Sequence, residues 1–222
     1  MSLEAVLSNV SPDRDTVLTI GVFDGVHLGH KCLLARLIER AKERGLMSGV
    51  VTFEAHPQKT LSPEKKLPFL TDLPRKRALL KSAGVEMVIV LPFGEELARL
   101  GARQFVSLLQ NRLRMKELMV GPDFALGRNR EGNVKALRAL GEEMGFTVTE
   151  VPPVRINGEV ASSTSIRQFL ADGDLKRAAS LIGSPFSLRE KVVVGVGRGI
   201  KHLFMSHPPL DERIAALRGQ PA

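Results

Sequence analysis

The sequence predicts an α/β fold built on a mostly parallel sheet flanked by helices. Three observations carry that expectation. Short, β-branched, apolar runs alternate with segments of helical periodicity, the pattern of repeated strand–helix units. The first run, residues 16–22, is apolar enough to be a strand buried on both faces. A glycine-bearing turn then joins it to an amphipathic helix, as at the first crossing of an open α/β sheet.

The elements follow in order. In residues 30–44, Leu33, Leu34, Leu37, Ile38 and Ala41 recur at helical spacing, with Arg36, Glu39, Arg40 and Glu43 between them; Gly45 is a C-terminal stop. Residues 49–53 read as the second strand. A loop punctuated by Pro57, Pro63 and Pro68 leads to a helix over 73–83, and 85–91 is the third strand. One helix, or two meeting near Gly101, fills 95–114; strand four is 117–121. A polar loop at 127–132 precedes a helix over 134–144 and a fifth strand over 147–151. Asn157-Gly158 between two short apolar pieces signals a hairpin turn. Helices over 164–171 and 175–181 complete the pattern, and neither an internal repeat nor a low-complexity tract interrupts it.

Composition narrows the function classes. The 222 residues are 43% hydrophobic and 25% charged, ample for a packed core. No apolar stretch approaches the roughly 20 residues of a bilayer span, so no membrane partner is expected. The first residues lack a basic-then-apolar pattern, so no secretory signal is expected. A single cysteine, Cys32, forms no internal disulfide and suits a cytoplasmic location; its packing reads as that of a small hydrophobe. The net charge of +8 raises nucleic acid as a ligand. With no Trp or Tyr to stack on bases and basic residues spread along the chain, phosphate-bearing small molecules account for the charge better, and no nucleic-acid partner is expected.

The most informative stretch is Gly21-Val-Phe-Asp-Gly-Val-His-Leu-Gly-His30. Gly21, Gly25 and Gly29 permit close backbone approach, and the following helix start offers free N–H groups and a positive dipole end to an anion. His27 and His30, three apart, share one face there and are placed to donate hydrogen bonds to phosphate oxygens. The alternatives are a pair of capping or core histidines, or half of a metal site; no further ligand at metal spacing accompanies them, and no protein-held metal is expected.

Residues 23–30 resemble the His-x-Gly-His signature of the nucleotidyltransferase superfamily. In the extended form, Phe23-Asp-Gly-Val-His-Leu-Gly-His30, they resemble the adenylyltransferase module of the prokaryotic bifunctional riboflavin kinase/FAD synthetases. Three more segments match in order: Thr52-Phe-Glu-Ala-His-Pro57, Val120-Gly-Pro-Asp-Phe124 and Ala161-Ser-Ser-Thr-Ser-Ile-Arg167. The resemblance covers roughly residues 15–186.

It implies a Rossmann-like nucleotidyltransferase domain at 15–186, after an N-terminal extension at 1–14, that transfers AMP from ATP to FMN, giving FAD and pyrophosphate. His27, His30 and Arg167 are then the catalytic candidates. Gly21, Phe23, Asp24, Gly25, Gly29, Ser162, Ser163 and Thr164 are the ATP-side candidates; Phe53, His56, Pro57, Asp123 and Phe124 are the FMN-side ones. Mg2+ is implied as the counter-ion of ATP. Ordinary core packing remains an alternative for Phe53 and Phe124, and ordinary N-capping for Ser162 to Thr164. Transfer to another phosphorylated acceptor, or a non-catalytic flavin or nucleotide sensor, are the alternative functions.

Two departures stand out. The flavin-side loop of the family continues Asp-Phe-Arg-Phe-Gly, whereas this chain has Asp123-Phe-Ala-Leu-Gly127; Arg128 and Arg130 are candidates to restore the lost charge. The segment 187–222 resembles the opening of a riboflavin kinase barrel but is too short to close one, so kinase activity is not expected. Gly195-Val-Gly-Arg-Gly199 imitates a dinucleotide-binding turn, with too little chain after it to complete that unit.

Overall fold

Five parallel strands in the order β3-β2-β1-β4-β7 form the central sheet of the computed structural model, which describes residues 3–54 and 69–185. The strands are β1 (Thr16–Ile20), β2 (Met47–Phe53), β3 (Met87–Leu91), β4 (Met115–Val120) and β7 (Thr147–Glu150). β1 is buried at every position, as its central place requires. The order reverses direction between β1 and β4, and at such a switch point the loops leaving the carboxyl ends diverge and open a crevice.

Helices α2 (Leu28–Arg44), α3 (Leu73–Ser82), α4 (Glu95–Arg99), α5 (Ala102–Leu113) and α6 (Val134–Met144) connect the strands. One core, including Leu18, Val51, Phe105, Leu109 and Leu118, fills one face of the sheet; a second, including Val17, Leu34, Leu37, Val50 and Leu80, fills the other. The expected helix over 95–114 is two helices, because Leu100 turns extended and ends the first, and Gly101 caps the second with Gln104 closing back onto its N–H at 2.9 Å. The hairpin expected at Asn157-Gly158 is present: β8 (Arg155–Ile156) pairs with β9 (Glu159–Val160), and both turn residues have positive φ, 52° and 86°.

Differences from the sequence reading lie mostly at element ends. The first strand stops at Ile20, because Phe23 takes a left-handed φ of 51° and turns the chain out of the sheet. The polar loop at 127–132 is the turn of a small hairpin, β5 (Ala125–Leu126) with β6 (Gly132–Asn133). The N-terminal extension contains α1 (Leu3–Ser8), whose Leu3 and Leu7 are buried in the larger core. Two leucines four apart in so short a helix are too weak a periodic signal to read in sequence. A third small core joins α7 (Ser163–Ala171) and α8 (Leu175–Ile182) through Ile166, Ala178 and Leu181, with Leu70 and Ala161.

α2 carries the histidines, and a buried carboxylate holds it. Glu117 on β4 is fully buried; its oxygens accept from Arg40 Nε (3.0 and 3.1 Å), Arg44 Nη1 (2.7 Å) and Thr149 Oγ1 (2.7 Å). Burial alone would raise its pKa, but the hydrogen bonds from Thr149, Arg44 and Arg40 outweigh that and hold it below the ordinary value. At the other end, Lys31 Nζ donates to the carbonyl of Ile182 at 3.0 Å, fastening α2 to the end of α8. Among the described residues no helix is long and apolar enough to cross a membrane.

Candidate active site

The loop from β1 to α2 is strained where it turns. Phe23 and Val26 have positive φ, 51° and 39°, which for a bulky and a β-branched residue costs about 1–3 kcal/mol each. Gly25, at φ 80°, is packed so tightly that a Cβ would lie 2.9 Å from the Leu70 side chain. The loop is held by buried Phe23, Asp24 and Val26, leaving His27 as the N-cap of α2.

His27 Nδ1 accepts from the backbone N–H of His30 at 3.4 Å. A neutral His27 therefore carries its proton on Nε2, which makes Nε2 the donor toward a ligand. The two imidazoles stack with centroids 3.7 Å apart at 24°, and Phe23 packs on His30 at 4.9 Å. Burial pulls the His27 pKa down to about 4; nearby Asp24 pulls it back up and Arg167 pushes it lower. His30 is also held well below the ordinary value, by burial first and then by His27 and Lys76. Both rings are therefore neutral at pH 7. His30 Nδ1 is buried without a hydrogen-bond partner.

The second motif arrives from α7. Ser162 is its N-cap, accepting from Ser165 N–H at 3.0 Å, and Ser163 Oγ donates to the backbone oxygen of Asp24 at 2.8 Å. Thr164 is exposed. Gly29 makes the junction possible: a Cβ there would sit 2.7 Å from the carbonyl oxygen of Ala161 and 3.1 Å from the His27 ring. Arg167 is ion-paired with Asp24 at 2.5 Å, both side chains largely buried.

The carboxylate of Asp24, expected on the ATP side, bonds to several protein groups. Its oxygens accept from Leu70 N–H (3.0 and 3.1 Å), Thr71 N–H (3.0 Å) and Thr71 Oγ1 (3.3 Å) as well as from Arg167. It clamps together the histidine loop, residues 70–71 and α7. Phe23 belongs to the core, and the ring of Phe23 lies where a Cβ on Gly21 would meet it at 3.0 Å. Phe53 is buried in the larger core, edge-on to Phe93 at 5.4 Å, and Phe124 packs against that core. Asp123 is exposed after β4, at the same carboxyl edge as the histidine loop; Arg130 Nη2 donates to its carbonyl at 3.0 Å, and Arg128 is exposed beside it. Cys32 is a partly buried free thiol. His56 and Pro57, and the readings made on residues 187–222, fall outside the described residues.

One residue absent from the sequence reading stands out. Lys76 on α3 is 3% exposed, and its Nζ donates to the carbonyls of Val22 (3.1 Å) and Phe53 (2.7 Å). A lysine in the first turn of a helix reads in sequence as a solvated charge, so only the packing reveals it. Among the described residues no group of three or more His, Cys, Asp or Glu side chains is placed to hold a metal ion.

The family model for FAD synthetase matches residues 10–165. The chain belongs to the FAD synthetase family. Relatives agree: the bifunctional riboflavin kinase/FMN adenylyltransferase of Escherichia coli K12 is 39% identical over 99% of this chain and 71% of its own length. The protein of the same name from Pseudomonas fluorescens is 41% identical over 88% of this chain and 63% of its own. A solved Streptococcus pneumoniae structure, of a protein named macrolide-efflux protein, superposes with a TM-score of 0.72 and 28% identity, over 81% of this chain and 59% of its own. Family membership makes the chain an ATP-dependent nucleotidyltransferase of the FAD-forming class, as its four motifs imply.

Proposed function

We propose that the site transfers the adenylyl group of ATP to FMN at the crevice between the histidine loop and the start of α7. A phosphate oxygen of FMN attacks the α-phosphorus; that P–O bond forms as the bond to the β-phosphate breaks, and pyrophosphate leaves with the electron pair. No protein nucleophile takes part, so the protein contributes positioning and charge stabilisation. The observation that carries this reading is the seating of Gly29 against Ala161, which brings His27 and His30 alongside the Ser162 cap and Arg167.

His27 Nε2–H donates to nucleotide phosphate oxygens, and its low pKa keeps that role constant through neutral pH. Arg167, oriented by Asp24, adds positive charge and a planar donor set suited to phosphate. Ser162 caps α7, and its N-terminal N–H groups face the same anion. Asp24, committed to backbone N–H groups and Arg167, makes a poor metal ligand. Magnesium therefore enters with ATP, held by phosphates and water. Asp123 and Phe124 border the acceptor side, with Arg128 and Arg130 supplying its charge. We place the catalytic unit across the described residues from Leu3 onward, since α1 is part of the core. A cytoplasmic setting suits an ATP-using enzyme with one cysteine.

The test is direct. Protein incubated with ATP, magnesium and FMN yields FAD and pyrophosphate, and His27→Ala or His30→Ala lowers kcat more than it weakens FMN binding. ATP binding with no FAD formed would refute the reading in favour of a sensor or another acceptor.

A further inference from the structure

Lysine is almost never fully buried unless it is paired, because desolvating an ammonium costs several kcal/mol. Lys76 is buried, and among the described residues no carboxylate lies within ion-pair distance of it. Its partners are two backbone carbonyls, those of Val22 and Phe53. Burial lowers its pKa, while Asp24, further off, pulls it back up.

Those carbonyls mark a particular place. Gly21 N–H still pairs with Val51 O at 3.0 Å, after which the chain leaving β1 enters the histidine loop and the chain leaving β2 follows its own course. The Val22 oxygen also accepts from Thr52 Oγ1 at 3.1 Å. Lys76 and Thr52 thus stitch together the point where the two strand ends part. Packing does not explain why this stitch carries a charge, since a neutral donor would satisfy a carbonyl at lower desolvation cost. The charge has a neighbour, however: Lys76 acts on His30, whose Nδ1 is buried and unpartnered.

We propose that Lys76 is a positioning residue for adenylyl transfer: its buried ammonium, bonded to the Val22 and Phe53 carbonyls, fixes the root of the histidine loop against the end of β2. This rests on the function proposed above. The titratable groups acting on His30 are His27, stacked on it, and Lys76; Asp24 and Arg167 act on His27. Removing the Lys76 charge therefore lets His30 protonate at higher pH, and a protonated His30 no longer has the acceptor-or-donor balance of the neutral pair.

Lys76→Met and Lys76→Gln test it together. Methionine removes both charge and donors; glutamine keeps a neutral donor. Both are expected to lower kcat at least about tenfold with KM for FMN changed less than about threefold, and to move the acid limb of the rate profile upward by roughly half a pH unit or more. Near-native kcat in Lys76→Gln, or an acid limb that stays put in both variants, overturns the proposal. NMR titration of His30 in the wild type and in Lys76→Gln needs no turnover. A rise in the His30 pKa on substitution supports the role of the charge; an unchanged value overturns it. If Lys76→Met does not fold, Lys76→Gln carries both readouts. A wild type that makes no FAD would sink the proposed function alone, with the NMR titration still judging Lys76.

Discussion

Acid should unfold this protein through His27. In the folded state its pKa lies near 4, against 6.5 for a free imidazole, chiefly because the ring is buried. Between those values the unfolded chain binds a proton that the folded chain refuses. Stability therefore rises with pH across this window and is lost as pH falls from about 6.5 toward 4. The gap of roughly 2.5 pH units corresponds to about 3 kcal/mol, a large share of the stability of an ordinary domain. His30 acts in the same direction. Glu117 acts in a separate window: its folded pKa is depressed, so its contribution is present above the ordinary carboxyl value and is lost below it. Urea unfolding of the wild type and of His27→Gln, at steps from about pH 7 to about 4, isolates the histidine, because carboxylate terms are common to both proteins. The wild type should lose about 3 kcal/mol more than the variant across that range. Parallel pH curves for the two proteins would refute the reasoning, since a ring that titrates normally in the folded state contributes no slope.

Other outcomes follow from close contacts and buried charges. Gly29→Ala should lower kcat/KM for ATP about tenfold or more, because its Cβ would lie 2.7 Å from the Ala161 oxygen and force the two motifs apart; retention of full activity would show the junction to be slack. Glu117→Gln should reduce urea stability by about 1–2 kcal/mol, at the low end because Arg40 and Arg44 are partly hydrated, while kcat changes less than about threefold; an unchanged unfolding midpoint would contradict this. An Arg128→Ala, Arg130→Ala double variant should raise KM for FMN several-fold with little loss of kcat, and an unaltered FMN titration would remove both arginines from the acceptor side.

Much of the fold was readable because its signals are local. Five apolar strands and the helices between them follow from periodicity, and the Asn157-Gly158 turn follows from the positive φ that those residues tolerate. The histidine loop and the Ser162–Arg167 segment were readable as motifs. α1 was not, since six residues with two buried leucines carry too little period, and its helix is stabilised by a distant core. Phe53 and Phe124 look alike in sequence as ring walls or core residues; in the fold Phe53 is buried in the larger core and Phe124 packs partly buried against it.

The sequence by itself determined the α/β class and the nucleotidyltransferase family, because both rest on residue types at short spacing. Only the tertiary structure decided what the charged groups do. It shows the Asp24 carboxylate clamping Leu70, Thr71 and Arg167, and Lys76 buried as a tie between two carbonyls. Charge, unlike periodicity, acquires its meaning from burial and partners brought from distant parts of the chain, and those come into being only when the chain folds.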